Sequence, residues 1–316
     1  MSEVRVGLIG VGAFGARIAR RLLWNGWHQL QLYDVNDIST RQFTQENGGL
    51  ATGSPRMLAQ TCNIVLTALP SALELREVCF GWESLAKGFA AGGIVVDLGM
   101  TDPIETVAMA QELKARGIDL VDAPAHGTLG DARDGKLTFV VGGEPAAVER
   151  CRPVLAILGQ NILLSGATGS AQATRMIVDY MRAVTVLAAS EAIRLGEHLG
   201  FEPGFVVRMS DELGRAEWNA TTVLEQVAGR RFASGIALGL ITGNLELAAK
   251  LAATYQVQSP LLAATRELWR DAQAQLGSGA DYTAVIRWLE SLHPMPPAPT
   301  TPEPNGESRA TPIRTV

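Results

Sequence analysis

Up to about residue 165 the chain alternates short apolar runs with longer amphipathic stretches. The runs over 4–9, 29–33, 64–68, 94–98, 119–122, 138–141 and 162–164 have the length of strands, and helical patterns lie between them. Repeated strand–helix alternation predicts a parallel, doubly wound α/β sheet, because a strand that crosses over through a helix returns parallel to its predecessor. Local signals agree: Asp102-Pro103 offers an N-cap and a first-turn proline before a helix over 104–116, and Gly117 ends it. After Gly166 the period becomes helical throughout, with helices expected over 170–199, 203–213, 216–229, 234–255, 259–276 and 281–292. The first of these would be about 45 Å long at the usual helical rise, enough to cross from one domain into another. Its Met176, Ile177, Val178, Met181, Val184, Val186 and Leu187 surround most of its circumference, which argues for burial on several sides, against a second subunit in a dimer. The pattern thus divides the chain into a doubly wound domain over 1–165, an all-helical substrate and dimerisation domain over 166–292, and a Pro-rich tail over 293–316 that cannot build a core and is expected to be disordered.

The first strand–helix junction carries chemistry. Gly10-Val11-Gly12-Ala13-Phe14-Gly15 stands between a strand and a helix, and Asp34 ends the second strand 19 positions after Gly15. In that context Gly10 permits the tight turn, Gly12 removes a side chain that would block a pyrophosphate, and Gly15 lets helix and strand pack closely. The helix N-terminus then faces the phosphates. The motif implies a dinucleotide-binding Rossmann domain. Asp34 would accept the adenosine ribose hydroxyls and repel a 2′-phosphate, which favours NAD and leaves NADP open; Arg41 is the nearest following arginine. Ligands of such sheets bind at the carboxyl ends of strands, so Leu69, Pro70 and Thr101 join the candidate cofactor residues.

Composition narrows the partners. The chain has 316 residues, 47% apolar and 19% charged, with a net charge of -5, an ordinary globular profile without the basic stripe that nucleic acid requires. The expected partner is a small molecule. Gly7 and Gly10 break the short N-terminal apolar run, which reads as neither a signal peptide nor a membrane span, so a cytoplasmic location is expected. Three scattered cysteines and four scattered histidines have no metal-ligand spacing, and no metal is expected.

Further strings follow in order: Leu69-Pro70, Asp122-Ala123-Pro124 with Gly127, Val141-Gly142-Gly143, Gly166 with Gly169 and Gln172, and Glu191. Over roughly residues 4–290 this order resembles the β-hydroxyacid dehydrogenase family, which includes 3-hydroxyisobutyrate dehydrogenase and has the imine reductases as relatives. The resemblance implies a Rossmann domain followed by a helical one, hydride transfer with a nicotinamide cofactor, and assembly through the helices as a homodimer or homotetramer. It also exposes departures. Arg175 stands where the family usually has its catalytic lysine, and Asp179 where it has an asparagine. Gly99-Met100 replaces a Ser-Thr pair, His126 replaces a serine with Thr128 in place of a second glycine, and Gly243-Asn244 replaces a Lys-Asp pair. Met100, Gly127, Thr128 and Asn244 are the candidate substrate-binding residues.

Alcohol oxidation or carbonyl reduction needs a group that moves a proton while hydride moves. Arginine keeps its proton at any accessible pH, so Arg175 is suited to holding an oxyanion or carboxylate by two parallel hydrogen bonds. His126, in a loop after the strand ending at Asp122, has the side chain suited to proton transfer near neutrality. Asp179 could orient either. These residues leave three readings: a dehydrogenase or reductase acting on C–OH, a C=N reductase in which Asp179 stabilises an iminium, and a dinucleotide-binding protein without catalysis.

Overall fold

A computed structural model describes residues 4–217 and 220–292; the Pro-rich tail lies outside the described residues. The chain forms two compact bodies, one running to Asp179 and the other beginning at Tyr180. In the first, the strands are β1 (Val6–Ile9), β2 (Gln31–Tyr33), β3 (Leu50–Ala51), β4 (Ile64–Thr67), β5 (Ile94–Asp97), β6 (Asp119–Asp122), β7 (Ala125–His126), β8 (Leu137–Gly142) and β9 (Gly159–Gly166). Its helices are α1 (Gly15–Trp24), α2 (Asp37–Asn47), α3 (Pro55–Thr61), α4 (Ala72–Phe80), α5 (Leu85–Gly88), α6 (Pro103–Lys114), α7 (Leu129–Asp134) and α8 (Pro145–Leu158).

The sheet runs β3-β2-β1-β4-β5-β6, all parallel, the strand order of a dinucleotide-binding Rossmann fold. Its central strands are buried on both faces. Alternate residues go to opposite layers: Leu8, Leu66 and Val96 pack with Ile18 and Leu22 of α1, whereas Ile9, Val65 and Val95 pack with Met109 and Leu113 of α6. One edge departs from the parallel pattern. β8 runs antiparallel to β6 and β7, and β9 returns parallel to β8. The reason is connection length: β7 reaches β8 through the single short helix α7, too little chain for a right-handed crossover. The two-residue strands β3 and β7 are too short for a periodicity signal, so His126 lies on a strand paired opposite Thr138 and not in a loop.

Local sequence explains most ends. Asp102 accepts the Ile104 amide at 2.7 Å with Pro103 in the first turn of α6, and Gly117 follows that helix with φ +73°. The long helix α9 (Ser170–His198) begins in the first body and continues into the second.

The second body is helical: the rest of α9, then α10 (Pro203–Glu217), α11 (Ala220–Ala228), α12 (Leu238–Thr254), α13 (Pro260–Leu276) and α14 (Val285–Leu292). Its buried cluster is Leu238, Ala272 and Trp288, with Trp269 stacked on Tyr282 at 6.3 Å. α12 starts four residues later than periodicity suggests. Asp281 holds 234–235 as a loop, accepting the amides of Ser234 at 2.7 Å and Gly235 at 3.2 Å. Glu191 of α9 caps α13, accepting the amides of Leu261 at 2.8 Å and Leu262 at 3.0 Å. Among the described residues no helix is long and apolar enough to cross a membrane.

Candidate active site

The sheet order reverses between β1 and β4, and the two loops that leave these strands meet there. Gly10 has φ +93°, and a Cβ on it would lie 2.4 Å from the Ala68 carbonyl oxygen; one on Gly15 would lie 1.9 Å from the Gly10 oxygen. The protein itself forbids side chains at both. Gly12 differs, because a Cβ there meets no protein atom within 4 Å; the space it keeps clear suits a diphosphate. Phe14 is the N-cap of α1 and gives no side-chain cap, so the first amides of the helix, around Ala13 to Gly15, are left for an anion. Asp34 does more than present an acid to a ribose. Its carboxylate accepts the Val11 amide at 2.7 Å and the Asn36 amide at 2.9 Å, bracing the glycine loop from the end of β2. This cradle fits a nicotinamide dinucleotide.

The next two strand ends lie beside the cradle. Leu69 is half-buried and Pro70 exposed after β4. After β5, Met100 is 55% exposed, whereas Thr101 points inward and donates its hydroxyl to Asp97 at 2.7 Å. What this loop offers a ligand is therefore Met100 and backbone. Asp97 is fully buried, and burial raises its carboxyl above the usual range although Thr67, Thr101, Gly99 and Gln172 all donate to it.

At the end of β6, Asp122 accepts the amides of Gly169 at 2.8 Å and Gln172 at 3.0 Å, which fixes the start of α9. Burial pushes its carboxyl up to about 6 against the opposing pull of those amides. Arg175, two residues into the next turn, donates Nε to Asp179 at 2.6 Å and Nη1 to the Ala125 carbonyl at 2.8 Å. Ala125 immediately precedes His126 on β7, so Arg175, Asp179 and the strand that carries half-buried His126 come together. With Nε on Asp179 and one Nη1 hydrogen on the Ala125 carbonyl, the remaining Nη hydrogens are what the arginine can offer a ligand. Thr128 caps α7 in a capping box with Asp131, its hydroxyl donating to that carboxylate at 2.7 Å. Gly127 precedes it at φ +143°. Asn244 belongs to the other body, exposed on α12. Among the described residues, no three His, Cys, Asp or Glu side chains gather as metal ligands.

The site contacts of three groups escaped the sequence reading. The Ala125 carbonyl is backbone and leaves no residue signal; Asp97 and Gln172 did leave one, an acid at a strand end and a motif glutamine in the first turn of α9.

A Rossmann sheet with a glycine cradle and an acid closing its second strand defines a dinucleotide-binding protein. Residues 5–166 match the model for the NAD binding domain of 6-phosphogluconate dehydrogenase, and residues 169–289 that for the NAD-binding of NADP-dependent 3-hydroxyisobutyrate dehydrogenase. The chain belongs to the β-hydroxyacid dehydrogenase family and is an NAD(P)-dependent oxidoreductase. It is 29% identical to 2-hydroxy-3-oxopropionate reductase of Escherichia coli over 92% of this chain and 98% of that protein. It is 28% identical to mitochondrial 3-hydroxyisobutyrate dehydrogenase of Bos taurus over 91% and 87%. In fold it is similar to an imine reductase from Myxococcus stipitatus, with a TM-score of 0.81 at 16% identity, covering 91% of this chain and 99% of that one.

Proposed function

We propose that the enzyme transfers hydride between NAD and the alcohol or carbonyl carbon of a small substrate, with His126 moving the hydroxyl proton and Arg175 holding the oxygen's charge. The observation that carries this reading is the 2.8 Å hydrogen bond from Arg175 Nη1 to the Ala125 carbonyl, which ties a permanent cation to the residue before His126. Bound NAD supplies the hydride acceptor or donor. The protein's part is to hold charge with a group that cannot lose its proton and to move a proton with one that can. Asp179 cancels much of the arginine's charge at 2.6 Å, so the site draws a carboxylate less than a lone cation would. The site therefore also suits substrates larger or less acidic than a simple hydroxy acid. Asp34 supports NAD over NADP, since a 2′-phosphate would face its carboxylate. Exposed apolar residues along α9 support a homodimer formed through that helix.

His126→Ala tests the proton role. Turnover should fall by about 100-fold or more while NADH affinity stays within about twofold; unchanged turnover rejects it. The Arg175–Asp179 pair favours a second reading, reduction of C=N, because an acid beside the reacting atom stabilises an iminium. A panel of 2-hydroxy-3-oxopropionate, 3-hydroxyisobutyrate and 1-pyrroline, each with the NAD and NADP forms, separates the two by which bond is reduced.

A further inference from the structure

Two carboxylates from adjacent strand ends converge on one residue. Asp97 and Asp122 are register partners at the ends of β5 and β6, and both are buried. Asp122 accepts the main-chain amide of Gln172 at 3.0 Å, and Asp97 accepts its Nε2 at 3.3 Å. The carboxamide also reads backbone: Nε2 donates to the Gly99 carbonyl at 3.0 Å while Oε1 accepts the Thr101 amide at 3.2 Å. Facing a C=O and an N–H two residues apart, it pairs with the β5–α6 loop much as a neighbouring strand would. Gln172 is itself fully buried. Its helix carries Arg175 one turn further on, on the same side.

We propose that Gln172 is a positioning residue whose carboxamide clamps the backbone of 99–101 to the first turn of α9, so that Met100 and Arg175 are held as one piece. The importance of that coupling for turnover rests on the reading of Arg175 as the charge-holding group. The chemistry demands this residue type. Asparagine is one methylene too short, methionine has no donor, and an ionised glutamate would present lone pairs to the Gly99 carbonyl and like charge to Asp97 and Asp122. A protonated glutamate, in contrast, donates to Gly99 and accepts from Thr101, so acid rebuilds the clamp.

The test is hydrogen exchange of the full chain with its bound NADH, comparing Gln172→Glu with the native protein at about pH 8 and about pH 5.5 after correction for intrinsic rates. At the higher pH, peptides covering 98–103 and 170–178 should both exchange about tenfold faster, with 6–16 unchanged and NADH affinity within about threefold. At the lower pH both should return towards native protection. Gln172→Met should loosen both segments with no recovery in acid, which covers the case in which the glutamate variant does not fold. With 2-hydroxy-3-oxopropionate as the probe, kcat of Gln172→Glu should drop about 10- to 100-fold at the higher pH with KM for NADH unchanged. Native protection of both segments in Gln172→Met, or loosening of one alone in either variant, overturns the clamp. If both segments loosen but Arg175→Ala turns over normally, the clamp stands and the role given to the arginine falls.

Discussion

The two bodies solve the problem of burying apolar surface differently. In the first, Leu8, Ile9, Leu66 and Val96 are enclosed from both sides by helices of the same chain. In the second, the buried cluster among the described residues is Leu238, Ala272 and Trp288, while on α9 Tyr180 is 71% exposed, Val186 61% and Leu187 48%. A doubly wound sheet closes its own core, because each crossover lays a helix back on the strands it joins. Helices gathered beside one long helix cover a stripe of it and leave the rest in water, so the second body needs apolar surface from elsewhere. The proposed dimer supplies it.

The sharpest contrast should come from truncation. Phe139→Ala, at a fully buried position of the first body, should cost about 3–5 kcal/mol. Leu240→Ala, 58% exposed on α12, should change stability by less than about 0.5 kcal/mol in denaturant titrations. Similar costs at both would erase the distinction.

One carboxylate in each body should also answer pH with opposite sign. Asp122 ionises near 6 when folded and near 3.9 when unfolded, so the folded state holds the proton more tightly. Stability from this group is full below about pH 4 and is lost as pH rises to about 6, roughly 3 kcal/mol in all. Asp122→Asn should remove that slope. Asp281 is the reverse: partial burial is outweighed by hydrogen bonds from Thr283 and Ser234, its carboxyl lies below the usual range, and its contribution is present near neutrality and lost in acid. Calorimetry of Asp281→Asn across the acid range should show the second body losing the part of its acid sensitivity that this carboxyl carries.

Dimerisation sharpens the comparison next. Leu187→Glu should weaken self-association by about 30-fold, the effect of placing an unpaired charge in an apolar interface, and leave NADH binding by the first body intact. Light scattering at several concentrations reads it; a native mass distribution would mean that this stretch of α9 is not the contact. A smaller loss is expected at Thr128→Ala, which removes the cap of α7 for about 1 kcal/mol of the first body's stability.

Much of the first body was legible because its rules are local. The glycine spacing, the acid at 34 and the Asp102-Pro103 cap act within a few residues of themselves, and each appears where the pattern put it. The antiparallel turn at β8 was not legible, since β7 is two residues long and its pairing to Thr138 is made across the intervening helix. At the site, sequence supplied Arg175, Asp179 and His126 as residue types standing where a family differs, but gave no sign that the arginine would spend Nε on one and Nη1 on the backbone beside another.

By itself, then, the sequence determined what short-range sterics and periodicity control: a parallel sheet, a glycine cradle for a dinucleotide, and a helical second half. Tertiary structure alone decided which buried carboxylate grips which amide, that Thr101 faces Asp97, and that Gln172 joins a loop 71 residues away to the helix of Arg175. Hydrogen bonds between distant segments depend on the register in which those segments pack, and no local preference encodes that register.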